Sequence, residues 1–338
     1  MSRKPADPPP DARASGPILT VRDLSVEYLL ESGAVVAVDE VSFSLGSGEF
    51  LAVVGESGCG KSTMLFAIAQ LLAPPAEVIG GSVLFNGHDM VGLTESALTA
   101  IRWKDLSVVM QSAMNALNPV KSIGAQFKDA LRAHGVTARE QVAERSAQVL
   151  RMVGIDPVHL RSYPHQLSGG MRQRSMIAMA LLFTPDLVIM DEPTSALDVV
   201  AQRSLMSKIK ELQRSLGFAV IFVTHDMSVV SRYSDRVVVM YAGQVAESAR
   251  TDTIFERPLH PYTRGLMNAF PSVTGPRREL VGIPGAPPDL ARPPSGCRFH
   301  PRCAEVMPAC LSREPDLYPV GGAEVRCLLY AEQAKEAV

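Results

Sequence analysis

Residues 50–72 read FLAVVGESGCGKSTMLFAIAQLL, and the fold is decided by this stretch. FLAVVG at 50–55 is an apolar run of strand length, so it reads as a strand buried on both faces. GESGCGKST at 55–63 fits G-x-x-x-x-G-K-[ST], and KSTMLFAIAQLL then reads as a helix. Strand, glycine-rich turn and helix in that order are the context that a phosphate-binding loop requires. Gly55, Gly58 and Gly60 let backbone N–H groups turn inward around an anion without Cβ clashes. The helix N-terminus adds a dipole that favours phosphate. Glu56, Ser57 and Cys59 occupy the variable positions, and Cys59 reads as a small residue that fits rather than as a redox group. Lys61 reaches the β- and γ-phosphates, the Ser62 hydroxyl is suited to ligate Mg²⁺, and Thr63 follows it into the helix.

The second half of a nucleotide site is LVIMDEP at 187–193. Four apolar residues place Asp191 at the C-terminal end of a buried strand, where an α/β sheet presents ligands. A carboxylate there holds Mg²⁺ through water, and Glu192 beside a γ-phosphate is suited to polarise or deprotonate the attacking water. Further strands are expected at LSVVM (106–110), AVIFVT (219–224) and RVVVMYAG (236–243), with helices over 139–153, 168–183 and 199–216. Shorter β segments precede the loop, in ILTVRDLSVEY and AVVAVDEVSFSL within residues 18–50. Alternating buried strands and helices indicate an α/β sheet with helices packed on it.

Residues 167–174, LSGGMRQR, narrow the choice among nucleotide hydrolases. They resemble the signature sequence of ATP-binding cassette (ABC) ATPases, with methionine where glutamine is commoner. The resemblance covers roughly residues 18–250. Gln111, after LSVVM, matches the Q-loop glutamine that senses Mg²⁺; Ser195-Ala196-Leu197-Asp198 matches the D-loop; His225, after AVIFVT, matches the switch histidine. Tyr28 resembles the A-loop aromatic that stacks on adenine. The resemblance implies a P-loop sheet core with a β-subdomain and a helical signature subdomain over about 92–175. It implies that two cassettes meet head to tail, with ATP between the Walker loop of one and Ser168, Gly169 and Gly170 of the other. Glu192 would then be the general base, and His225 would hold the γ-phosphate.

Three stretches point further: QSAMNALNPVKSIGAQ (111–126), the methionine-type signature and IFERPLHPYTRGLMNAF (254–270). Together they resemble the first of the two ATPase subunits of bacterial oligopeptide/dipeptide (and related nickel) importers. The implied partners are two membrane permease subunits, a second cassette, with a heterodimer favoured, and indirectly an extracytoplasmic solute-binding protein. The implied location is peripheral, on the cytoplasmic face of the membrane. The alternative, a soluble ABC ATPase acting on nucleic acid or ribosomes, fits less well. Those proteins carry fused cassettes, coiled coils or basic linkers, and this chain carries one cassette. Intact Glu192 and His225 argue against a non-hydrolysing cassette.

Composition agrees with this frame. With 46% apolar residues, the 338-residue chain can bury a large core. Its 33 basic and 35 acidic residues leave a net charge of −2, which argues against a nucleic-acid-coating protein. Residues 1–17 lack an apolar signal region and read as a disordered tail. The cassette is expected over 18–255. From about 256 to 338 the chain turns proline-rich and collects Cys297, Cys303, Cys310 and Cys327, with five, six and sixteen intervening residues. Four such thiolates suit a tetrahedral metal or the corners of a [4Fe–4S] cluster, and the spacing alone does not choose. The importer resemblance favours the [4Fe–4S] cluster over zinc or free thiols, in a structural role that orders a proline-rich segment.

Overall fold

The computed structural model of the chain describes residues 16–31, 33–111, 116–195, 197–269 and 282–333. Residues 1–15 of the expected tail, Ser112–Asn115 after the Q-loop glutamine, Ala196 of the D-loop and Phe270 lie outside the described residues.

Two long strands, β1 (Leu19–Leu30) and β2 (Gly33–Leu45), precede the buried strand β3 (Phe50–Val54). After a helix at Lys61–Ile68 come β4 (Ala76–Phe85) and β5 (His88–Asp89). These pair with the first two strands in an antiparallel sheet of order β2-β1-β4-β5. With β6 (Leu106–Val109), β7 (Leu187–Asp191), β8 (Ala219–Val223), β9 (Arg236–Tyr241), β10 (Gln244–Arg250), β11 (Tyr318–Val320) and β12 (Ala323–Val325), the main sheet has the order β11-β12-β10-β9-β3-β8-β7-β6. Its parallel part joins β3 to β6, β7, β8 and β9.

Period-two alternation splits these strands between two cores. Phe50, Ala52 and Val54 face one, with Val188, Met190, Val220, Phe222, Val237 and Val239. Leu51 and Val53 face the other, with Leu187, Ile189, Ala219, Ile221, Val223 and Val238. Burial on both faces explains why these strands are continuous apolar runs. The first core is roofed by the helices Ile123–Ala133, Arg139–Met152, Gly169–Ala180 and Val199–Leu216. The second lies between the main sheet, the Lys61–Ile68 helix and the antiparallel sheet.

One expectation is corrected. The helix opened by Lys61 stops at Ile68 instead of running to 72. Gln70 takes a φ of +54°, and the Leu71 N–H reaches back to the Phe66 carbonyl (2.8 Å), the wrap that ends helices with a left-handed residue. In the proline-rich C-terminal stretch, β11 and β12 form a short hairpin. Through Glu247↔Val325 and Ser248↔Glu324, β12 pairs with β10 and lengthens the main sheet.

Candidate functional site

The parallel strands β3, β8, β7 and β6 are neighbours and point the same way, so their C-terminal ends share one edge of the sheet. At that edge the structure brings together the loop 55–63, Asp191 and Glu192, His225 and Gln111. A Cβ at Gly55 would collide with the Met240 carbonyl oxygen, and one at Gly60, φ +98°, with that of Ala37. Both positions therefore require glycine. Lys61, at the start of the helix, donates to the carbonyls of Gly55 (2.8 Å) and Glu56 (2.7 Å), folded back across the loop that it serves. Cys59 is buried beneath it, and burial raises its thiol pKa. The Tyr28 hydroxyl and Thr63 Oγ1 are 3.0 Å apart, so Tyr28 stands over the start of the same helix.

Asp191 ends β7 almost fully buried. Burial raises its pKa; a hydrogen bond from Ser62 opposes that shift, and Glu192 adds to it. Its Oδ1 has no hydrogen-bond partner. A buried carboxylate oxygen without a partner, beside a serine hydroxyl, is a donor set that fits a hard cation such as Mg²⁺. Glu192 has a φ of +45°, a left-handed conformation that is costly for a non-glycine residue and concentrates at functional sites. Its backbone N–H is held by the Val223 carbonyl at 3.1 Å. Its carboxylate accepts from Gln111 Nε2 at 2.9 Å and lies 3.6 Å from His225 Nδ1. His225 itself is largely exposed. A carboxylate so held, next to a phosphate cradle, is equipped to take a proton from water.

Ser168 and Asp198 are placed differently. Ser168 caps the helix Gly169–Ala180, accepting from the Met171 N–H (3.3 Å), and is exposed; a Cβ at Gly170 would meet nothing. Asp198 caps the helix Val199–Leu216 through the N–H groups of Val200 and Ala201, at 3.0 and 2.8 Å. Among the described residues, no hydrogen bond or ion pair joins Ser168–Gly170 to the loop 55–63.

Sequence reasoning missed the contacts on the outer flank of that loop. Arg302 forks the Glu56 carboxylate at 2.7 and 2.9 Å, and the Glu56 N–H donates to the Tyr262 hydroxyl at 2.9 Å. The only sequence signal was the HPYT run at 260–263, within the stretch 254–270 that carries the importer resemblance.

The four C-terminal cysteines are free, with Cys310 and Cys327 buried and Cys297 and Cys303 half-buried. Burial raises the thiol pKa values of Cys297, Cys303 and Cys327, the last to about 12, and nearby thiols of the set raise each further. Yet among the described residues no three His, Cys, Asp or Glu side chains are placed to hold a metal ion. The placement therefore gives no support to the expected [4Fe–4S] site or to zinc.

A two-layered P-loop sheet with these groups at one edge defines an ATP-binding cassette ATPase. The ABC transporter family model matches residues 38–195, and the model for the oligopeptide/dipeptide transporter C-terminal region matches residues 246–310. The chain is 44% identical to the dipeptide transport ATP-binding protein DppD of Caldanaerobacter subterraneus subsp. tengcongensis, over 93% of this chain and 98% of that one. It is 43% identical to the oligopeptide transport ATP-binding protein OppD of Escherichia coli K12, over 88% and 89%. The dimeric cassette MJ0796, solved in a post-hydrolysis state bound to ADP and Pi, aligns with a TM-score of 0.62 at 28% identity. That alignment covers 69% of this chain and 98% of the cassette. The chain belongs to the ATP-binding subunits of the oligopeptide/dipeptide ABC transporter family.

Proposed function

We propose that the chain binds MgATP on the loop 55–63 and hydrolyses it to drive import of dipeptides or oligopeptides through separate membrane permease subunits. The supporting observation is the convergence of Gln111 and His225 on the Glu192 carboxylate, beside the unpartnered oxygen of Asp191. Backbone N–H groups of the loop and Lys61 hold the triphosphate, and Lys61 exchanges the loop carbonyls for phosphate oxygens. Tyr28 stacks on the adenine. Ser62, Asp191 and Gln111 would hold Mg²⁺, which would supply positive charge against the developing phosphate charge. Glu192 takes the proton of the attacking water, while Gln111 and His225 keep its carboxylate oriented. His225 also holds the γ-phosphate. Ser168, exposed at a helix start, and the half-buried Gly169 and Gly170 close on the γ-phosphate of a facing cassette, and Asp198 lines the same interface.

Peptide as the cargo is supported by the names of the relatives and by the match of the C-terminal region. No helix among the described residues is long and apolar enough to cross a membrane, in keeping with permease subunits as separate chains and with a peripheral place on the cytoplasmic face. The facing cassette is read as a second, different subunit, and a solute-binding protein outside the membrane as the source of cargo. The test is Glu192→Gln. We expect MgATP binding to be retained and turnover to fall by about 10²–10⁴-fold. Unchanged steady-state hydrolysis would overturn the assignment.

The [4Fe–4S] reading of Cys297, Cys303, Cys310 and Cys327 rests on family resemblance alone. A cluster there would order the C-terminal stretch, and no catalytic step depends on it. Iron and acid-labile sulfide are expected at about four each per anaerobically purified chain, the composition of such a cluster. Stoichiometric zinc or bare thiols would end this reading and leave the ATPase untouched.

A further inference from the structure

The C-terminal stretch reaches the phosphate loop through a chain of fully used polar groups. Glu247, buried in β10, accepts the backbone N–H groups of Leu259 and His260, each at 2.8 Å. That fixes the entry to the helix Pro261–Asn268, where the His260 ring accepts the Tyr262 N–H at 3.0 Å. Tyr262 is completely buried, its ring packed against Tyr241 and Phe299 at 4.6 and 5.5 Å, and its hydroxyl takes the Glu56 N–H. From the other side comes Arg302, which is itself pinned. It donates to the carbonyl of Pro284 (2.8 Å) and to the Tyr241 hydroxyl (3.3 Å) while forking Glu56. Arg298, one turn earlier, pairs with Asp39 and donates to the Ala242 carbonyl at 2.6 Å. Residues 287–290 overhang Glu56, Ser57, Gly58 and Cys59 across a cleft. One loop residue is thus held at its backbone and at its side chain by a segment more than 200 positions away.

Glu56 is an awkward residue for a phosphate cradle. Its carboxylate stands next to the place where a polyanion binds, and like charges in a partly desolvated site repel strongly. Arg302 cancels that charge and turns the carboxylate toward the C-terminal stretch. The Tyr262 hydroxyl fixes the backbone from which the cradle begins, so less ordering is left for the ligand to impose.

We propose that Arg302 and Tyr262 are positioning residues of the nucleotide site, and that by clamping Glu56 the C-terminal region sets the affinity of the loop for ATP. The inference rests on residues 55–63 being the triphosphate cradle. Its test is equilibrium binding of the Mg²⁺ complex of adenylyl imidodiphosphate to the full chain, together with KM and kcat for ATP. Arg302→Gln should raise Kd and KM about tenfold, with kcat at saturation within about twofold. Tyr262→Phe keeps the packed ring and every charge, and should raise Kd about threefold; thermal melts of both variants report on folding. Arg302→Gln combined with Glu56→Gln should bind more tightly than Arg302→Gln alone, because the charge that needed cancelling is gone. An Arg302→Gln chain that binds like wild type overturns the proposal, as does a double variant no tighter than the single one. Failure of the wild-type chain to bind the analogue would instead sink the reading of the loop itself.

Discussion

Two carboxylates lie equally deep in this chain and differ in their company. Asp191, at the open edge of the parallel strands, has one oxygen with no hydrogen-bond partner. Glu247, in β10 on the far side of β9 from β3, has both oxygens occupied by backbone N–H groups at 2.8 Å. Burial raises the pKa of each. For Glu247, the backbone hydrogen bonds from Leu259 and His260 work against that rise and stabilise the charge. For Asp191 the compensation is incomplete, and a cation would complete it. A buried polar group satisfied by its own chain holds shape, whereas one left unsatisfied marks where a ligand belongs.

The largest effect expected from this contrast is at Asp191. Asp191→Asn removes a buried charge that lacks a full set of partners, so the nucleotide-free chain should lose no stability, with a change within about 1 kcal/mol of zero. Mg²⁺-dependent turnover should fall by at least about 100-fold, since the cation loses its anionic ligand. Paired measurements of thermal unfolding and hydrolysis decide it. A strongly destabilised variant would mean that Asp191 is a structural carboxylate like Glu247, and the contrast would collapse.

Glu247→Gln should behave in the opposite way. An amide offers one oxygen to two backbone donors, and its NH₂ would face a second N–H group. The expected cost is about 1–3 kcal/mol of stability, read by denaturant unfolding. Hydrogen exchange should rise first at the amides of Leu259, His260 and Tyr262, which depend on that carboxylate. If stability were unchanged, the route by which β10 anchors the C-terminal segment would be wrong.

The difference between the nucleotide edge and the C-terminal stretch also explains what could be read from the sequence. The nucleotide edge is written locally. Five-residue apolar strands end in short polar motifs, so Lys61, Asp191, Glu192 and His225 were each placed by their own neighbours in sequence. β4 was harder, because Glu77, Gly80, Gly81 and Ser82 interrupt any apolar alternation along it. The three-residue strands β11 and β12 carry too few positions to show a period at all. Arg302 and Tyr262 were invisible as partners of Glu56, since ion pairs 246 residues apart leave no local pattern. Only the fold, by adding β12 to β10, brings that segment to the loop.

Asp198 sharpens the contrast, because it has features of both classes. Like Glu247 it is satisfied by backbone N–H groups, as the cap of the Val199–Leu216 helix. Like Asp191 it belongs to a motif of the nucleotide edge, and the next two residues, Val199 and Val200, are 63% and 78% exposed, as a surface awaiting a facing cassette would be. Two substitutions separate the roles. Asp198→Ala removes the cap and should cost about 1 kcal/mol of stability. Asp198→Asn keeps a capping oxygen and should stay within about 0.5 kcal/mol of the parent, since asparagine caps as well as aspartate. We expect Asp198→Asn nonetheless to lose turnover several-fold, because on the proposed reading a charge facing a partner cassette is gone while the helix is intact. Full turnover in Asp198→Asn, with lowered stability in Asp198→Ala, would place Asp198 beside Glu247 as a purely structural carboxylate.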